Sequence, residues 1–248
     1  MQRAAWLEES PFTLMLSAGF FGFFSHAGLL RALEDHGLRP QRVIGCSAGS
    51  LAGGLWASGM DAGTLADELV SLRREDFWDP GLPLGGLLRG KKFRDRLELL
   101  LGRLGVERIE QTPLRFSPVV HDVLRRKPLA LREGLLGEAI VASCTVPVMF
   151  RPVVSQGRLL VDGGVSDRSG FTALDGDARV LLHFLPSRRT VKWGAPAPLP
   201  SEVPGADSLL LITPDLPKVT PFRLEEGRVA YTRTYEHATR WLGETVDS

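Results

Sequence analysis

The sequence predicts an α/β fold: a single three-layer α/β/α domain around a mostly parallel central sheet. Three observations lead there. Short apolar runs suited to strands buried on both faces alternate with amphipathic or Ala/Leu-rich helical stretches. Glycine turns sit where strand passes to helix. The connections in the first half are so short that neighbouring strands must run parallel. The 248 residues show no internal repeat and no composition break, so residues 1–248 read as one domain.

Taken in order, Thr13 to Ser17 is the first central strand, followed after a glycine turn by a helix from about Ser25. Leu29, Leu30 and Leu33 share one face of that helix, and Gly37 suits its C-terminal cap. Arg42 to Gly45 reads as the second strand and Ala48 to Ser58 as the second helix. Gly53 and Gly54 cost that helix propensity, so they are expected to allow close packing on the sheet. Asp61 to Arg74 and Lys91 to Leu101 are helical, separated by a loop from Phe77 to Leu88 that suits a cap or a surface connection. Leu114 to Asp122 and Leu129 to Leu131 read as strands around a basic hairpin tip, Leu124 to Lys127. A helix from Leu135 to Ala142 follows, then strands at Arg158 to Val161 and Val180 to Leu185. The proline-rich stretch Ser187 to Ala206 reads as a surface loop, Ser208 to Thr213 as a last strand and Phe222 to Leu242 as a terminal helix.

Bulk properties exclude several classes. With 30 basic and 29 acidic residues the net charge is +1, so no charge excess argues for nucleic acid or an anionic surface. Cys46 and Cys144 are too few for a disulfide framework and read as reduced, buried thiols, which makes cytoplasm the expected compartment. Pro11 to Leu30 carries no charged residue and is about the length of a membrane span. Glu8 and Glu9 flank it on the wrong side for a signal peptide, and Gly19, Gly22 and Gly28 interrupt it, so strand, turn and helix is the better reading. No histidine pair has metal-ligand spacing with a third ligand nearby, and no cofactor is implied.

Chemistry concentrates in three turns. Gly45-Cys46-Ser47-Ala48-Gly49 is a G-x-S-x-G between a strand and a helix. A nucleophilic serine needs such a sharp turn, with Gly45 and Gly49 avoiding clashes and the helix N-terminus facing the developing oxyanion. Without catalysis the same residues would be a small-residue turn. Gly19-Phe20-Phe21-Gly22, one strand earlier, could offer backbone N–H groups at the same sheet edge; alone it is simply a tight turn. Asp162-Gly163-Gly164 places a carboxylate at a strand end, in a sequence that is also a common turn.

Together the three segments resemble the patatin-like phospholipase family, with a glycine-rich oxyanion loop, a G-x-S-x-G elbow and a later D-G-G in that order. The helix Leu29 to Glu34, the stretch Gly90-Lys91-Lys92 with Leu101-Gly102, and the block Ala142-Ser143-Cys144-Thr145-Val146-Pro147 are also similar, so the likeness runs over roughly residues 13 to 170. It implies a patatin-like fold and a lipid acyl hydrolase acting through an acyl-enzyme. Ser47 and Asp162 would form a catalytic dyad without histidine, and Gly19, Phe20, Phe21 and Gly22 the oxyanion hole. A lipid or acyl ester is then the expected substrate, with transient membrane-surface contact and no nucleic acid.

Two departures stand out. Many bacterial members carry Arg or Lys before the last glycine of the oxyanion loop, where this chain has Phe21, closer to the adiponutrin-like lipases. That points to uncharged acyl esters. After D-G-G, Asp167-Arg168-Ser169-Gly170 replaces the usual Asn-Pro, a change that points either to altered support of the site or to reduced activity.

Two other readings compete. An α/β-hydrolase triad would run Ser47, Asp162, then His183 or His237. The nucleophile comes early for that fold, His183 lies in an apolar strand, and His237 lies on an amphipathic helix among Arg233, Glu236 and Arg240, a pattern that suits a solvated face. His26 is expected to pack or cap locally, and His121 to pair with Asp122. The other reading is a non-catalytic lipid- or partner-binding protein on the same scaffold.

Overall fold

A computed structural model describes residues 1–81, 86–186, 200 and 203–246. The elements are α1 (Arg3–Glu9), β1 (Thr13–Leu16), α2 (Phe23–Asp35), β2 (Arg42–Cys46), α3 (Ala48–Ala57), α4 (Ala62–Val70), α5 (Lys91–Leu104), β3 (Arg115–Asp122), β4 (Lys127–Ala130), α6 (Leu136–Ser143), β5 (Val153–Ser155), β6 (Arg158–Asp162), β7 (Arg179–His183), β8 (Asp207–Leu211) and α7 (Glu226–Gly243).

The sheet order is β5-β6-β3-β2-β1-β7-β8, with β4 folded back on β3. β3, β2, β1, β7 and β8 run parallel, and β4, β5 and β6 join through antiparallel pairs. The expected three-layer, mostly parallel sheet is the observed one. β1 is the middle one of the five parallel strands, and all four of its residues are buried, as its unbroken apolar run requires. Alternation splits the core in two. Leu14, Leu16 and Val43 face the layer of α2, α3 and their neighbours. Met15, Ile44, Val180 and Leu182 face the other side, where Ala173, in a short 3₁₀ turn, packs on them.

All ten residues of α3 are buried. A Cβ on Gly53 would stand 2.9 Å from a Leu16 methyl and 3.0 Å from a Val43 methyl, so the expected close packing is real. Gly37 takes the left-handed φ of +67° just beyond α2. At the far edge of the sheet, Arg42 is bound by Asp177 at 3.2 Å and by the Ala173 carbonyl at 2.8 Å, well away from the strand ends that carry the glycine turns.

Several boundaries move. The helix expected over Asp61 to Arg74 stops at Val70, with Asp61 capping it through the Thr64 N–H at 2.9 Å. The terminal helix starts at Glu226 rather than Phe222. β4 begins two residues early, at Lys127, because hairpin pairing with Asp122 overrides a charged, proline-containing sequence. α1 and β5 were not legible; each is short, and β5 exists only through pairing with β6. Residues 187–199 and 201–202, most of the expected proline-rich loop, lie outside the described residues, as do 82–85 of the loop before α5.

Candidate active site

Ser47 stands at the junction of β2 and α3 with φ +53° and ψ −116°, a conformation a non-glycine residue takes only under constraint. The constraint is visible. A Cβ on Gly49 would lie 2.0 Å from the Leu16 carbonyl oxygen, so α3 meets the sheet with no room for a side chain there. The Ser47 N–H donates to Ser143 Oγ at 2.9 Å, and that hydroxyl donates to the Val119 carbonyl at 2.7 Å. Cys144 Sγ lies 3.1 Å from the Ser47 carbonyl. The turn is thus tied from α6 as well as through its own glycines.

Asp162 ends β6, and its register opposite Val120 brings it beside the elbow. Ser47 Oγ donates to Asp162 Oδ2 at 2.6 Å, while Oδ1 accepts the Gly164 N–H at 2.7 Å. The carboxyl is buried, and desolvation pushes its pKa up to about 6 against the opposing pull of Ser47, Gly164 and Arg168. The thiols of Cys46 and Cys144, both near Asp162, are pushed up by burial and stay neutral.

The Gly19 to Gly22 turn closes on itself through a Gly22 N–H to Gly19 carbonyl bond of 2.9 Å. Phe21 is held at φ +56°, wedged between Phe23 and Phe77 with ring centroids 5.5 and 5.6 Å away. Gly19, Phe20 and Phe21 line the same cavity as Ser47. Its walls are mainly apolar, from α3, α4 and α5, and it encloses about 130 Å³. Near its mouth Val148 takes φ +72°, rare for a β-branched residue, and its carbonyl accepts the Leu87 N–H at 3.0 Å. That contact ties the end of the loop before α5 to the chain after α6.

The departure after D-G-G is a capped turn. Asp167 accepts the N–H groups of Gly170, Phe171 and Thr172 at 2.8, 3.0 and 2.7 Å. Gly170 has φ +85°, which suits glycine there. Arg168 reaches back to the Ala18 and Leu185 carbonyls at 3.0 and 3.1 Å. Ser143, Cys144 and Arg168 were not singled out as site residues from sequence. The first two lie in a block whose likeness to the family was their only signal, and Arg168 had none beyond its departure from the pattern.

No histidine ring nitrogen bonds Ser47 or Asp162 among the described residues. His26 Nε2 lies 2.9 Å from the Ser17 carbonyl, and its Nδ1 lies 2.9 Å from His183 Nδ1. A carbonyl only accepts, so neutral His26 donates from Nε2 and accepts from His183 at Nδ1. His183 Nε2 is then a buried lone pair without a donor among the described residues. His121 bonds Ser166 Oγ at 2.7 Å instead of pairing with Asp122, whose partners are Arg125 and Arg158. His237 is half-buried on α7 beside the exposed Arg233, Glu236 and Arg240.

A serine hydroxyl on a strained strand-to-helix turn, bonded directly to the D-G-G aspartate beside a glycine turn, is the arrangement the sequence likeness implies. The family model described as patatin-like phospholipase matches residues 14–175. The chain belongs to the patatin-like phospholipase family. Among curated relatives, an uncharacterized NTE family protein of Mycobacterium tuberculosis strain H37Rv is 31% identical over 156 residues, covering 62% of this chain and 42% of that protein. Lysophospholipase NTE1 of Scheffersomyces stipitis is 27% identical over 174 residues, covering 67% of this chain and 11% of the enzyme. This patatin-like chain therefore spans less than half the length of these relatives. Of solved structures, VipD from Legionella pneumophila superimposes with a TM-score of 0.62 at 14% identity, over 94% of this chain and 66% of that one, which supports the patatin-like fold.

Proposed function

We propose that the chain is a lipid acyl hydrolase in which Ser47 is the nucleophile and Asp162 its general base. The observation that carries this is the 2.6 Å bond from Ser47 Oγ to Asp162 Oδ2 at the mouth of an apolar cavity. As Ser47 Oγ attacks the ester carbonyl, its proton passes to Asp162 and the tetrahedral oxyanion forms against the Gly19 to Gly22 turn and the N-terminus of α3. Collapse breaks the bond to the alcohol, which takes the proton from Asp162. Water then attacks the acyl-enzyme by the same proton route and releases the fatty acid. A carboxylate whose pKa sits near 6 is a far better base at neutral pH than an exposed one.

The cavity takes the acyl chain, and the aromatic pair Phe20 and Phe21 makes uncharged acyl esters better substrates than anionic phospholipids. Phe20, Leu87, Val148 and Phe222 leave large apolar side chains exposed, which suits transient contact with a lipid interface near the mouth. Lysophospholipase NTE1, a relative by sequence, makes single-chain lipids natural members of a test panel.

The test is fluorophosphonate labelling of the purified protein, followed by an ester panel of graded chain length and headgroup. Labelling at Ser47 with ester turnover, both abolished in Ser47→Ala, is the expected result. A folded protein that neither labels nor turns over any ester is a binder on this scaffold. More than a few per cent of activity surviving in Ser47→Ala removes the nucleophile assignment.

A further inference from the structure

We propose that Arg168 is the positioning residue of the oxyanion loop, locking the peptide plane between Ala18 and Gly19 so that the Gly19 N–H is directed to the Ser47 side. The proposal rests on the reading of the Gly19 to Gly22 turn as the oxyanion loop.

Both backbone polar groups of Ala18 are committed to residue 168. The Ala18 N–H donates to the Arg168 carbonyl at 2.8 Å, and Arg168 Nη2 donates back to the Ala18 carbonyl at 3.0 Å. The same nitrogen reaches the Leu185 carbonyl at 3.1 Å, so one planar group ties the loop that leaves β1 to the chain that leaves β7. In a trans peptide the carbonyl and the following N–H point to opposite sides. Fixing the Ala18 carbonyl on Arg168 therefore turns the Gly19 N–H away from it, and Gly19 lines the cavity that holds Ser47. The Gly19 N–H donates to no protein acceptor among the described residues, which leaves it for an oxyanion.

The anchor is needed because the loop is strained beyond it. Phe21 stands at φ +56°, and without a hold upstream the turn could relax that angle by rotating the Ala18–Gly19 peptide. A guanidinium nitrogen carries two N–H groups in a fixed fork and so serves two carbonyls from different segments with set directions, which an ammonium does with little directional preference. Burial pulls the Arg168 pKa down, and the nearby Cys46 and Asp162 oppose that only in part, while its Nε has no partner among the described residues. Arg168 lies in the turn where the family-like pattern has its Asn-Pro pair, and Phe21 stands where that pattern has the oxyanion loop's cation. The cationic support of the loop has moved to the turn behind it, held in place by the Asp167 cap.

Arg168 also faces Asp162 and holds its pKa down, while the other titratable groups beside that carboxyl, Cys46 on β2 and Cys144 at the end of α6, are neutral. A residue that only stabilised the fold would not separate these effects. In Arg168→Gln, amide hydrogen exchange over residues 17–23 should quicken while exchange in α7 stays as in the unsubstituted protein. Turnover of a short-chain ester should fall by about tenfold to 10²-fold in kcat with KM within about threefold, the pattern of a misplaced oxyanion donor. The acid limb of the kcat–pH profile should move to higher pH. Arg168→Lys keeps the charge, so its acid limb should stay in place while loop exchange and kcat still change. Unaltered exchange over residues 17–23 in folded Arg168→Gln overturns the proposal, whatever the catalysis shows. Should that variant fail to fold, unaltered exchange and turnover in Arg168→Lys overturn it instead. Absence of ester turnover in the unsubstituted protein would tell against the hydrolase reading and leave the exchange result readable.

Discussion

In the proposed dyad Asp162 has to be both buried and basic, and at the residue scale these demands reinforce each other. Desolvation disfavours the charged form, so the carboxyl binds a proton more tightly than an exposed one would. Among the described residues Ser47 is the hydroxyl that bonds it, and in the proposed dyad the carboxylate takes that proton without a histidine between. Asp162→Asn should lower kcat by at least about 10²-fold, the usual range for a lost acid–base group. His183→Gln and His237→Gln should each lower it less than about tenfold on that scale. Steady-state kinetics on variants of preserved circular dichroism check this, and a collapse in either histidine variant would move the assignment to a Ser-His-Asp triad. The kcat–pH profile should rise through an acid limb near the Asp162 value of about 6 and then stay flat through neutrality. An acid limb near 4, the value of an exposed carboxylate, would mean the base is solvated during turnover.

The elements matter because they bring backbone close to backbone. Gly49 lets the first turn of α3 lie on β1, and an added methyl at 2.0 Å from the Leu16 carbonyl cannot be absorbed by a side-chain rotation. Gly49→Ala should destabilise the protein by about 3 kcal/mol or more, as overpacking against backbone does. Denaturant unfolding measures this, and a loss below 1 kcal/mol would show that the elbow is not tightly packed. The Gly19 to Gly22 turn, the elbow and the loop before α5 also place Phe20, Phe21 and Phe77 around one cavity. A matched pair of a neutral glyceride and an anionic phospholipid, presented in the same micelles, should therefore be turned over unequally, the neutral ester faster. The reverse order would show that headgroup charge is met by cations elsewhere on the rim.

Across the whole molecule, buried titratable groups pull stability in opposite directions with pH. Asp162 has its folded pKa, about 6, above the 3.8 of an unperturbed Asp. Its contribution is fully present below about pH 4 and lost as pH rises through 6. His26 is lowered to about 4 by burial, against an ordinary 6.5, and His183 is also driven well below its ordinary value by burial and by its histidine neighbours. Their contribution is present above 6.5 and lost as pH falls toward 4. The Asp162 and His26 shifts are each worth on the order of 3 kcal/mol, so between pH 6 and 4 Asp162 largely offsets His26. Asp162→Asn removes the offset. That variant should be more stable than its parent at pH 7.5 and should lose stability more steeply on acidification. Thermal unfolding at pH 7.5 and 4.5 reads both effects, and equal pH slopes in parent and variant would remove the argument.

Much of this protein was legible in its sequence because the signals are local. A buried parallel strand must be an unbroken apolar run, so Thr13–Leu16 and Arg42–Cys46 declared themselves. A serine on a sharp strand-to-helix turn needs small neighbours, so Gly45 and Gly49 pointed to Ser47. The D-G-G turn pointed to Asp162 only in the company of the other two segments, since Asp-Gly alone is any turn. Only tertiary structure decided what depends on distant segments meeting. The pairing of β6 with β3 sets Asp162 at 2.6 Å from Ser47 across 115 residues of chain. The meeting of α6 with the elbow recruits Ser143, and the return of the chain after β6 brings Arg168 under Ala18. Neither partner carries a local signature, because a hydroxyl or guanidinium is defined by the carbonyls it reaches, and those carbonyls belong to every residue alike.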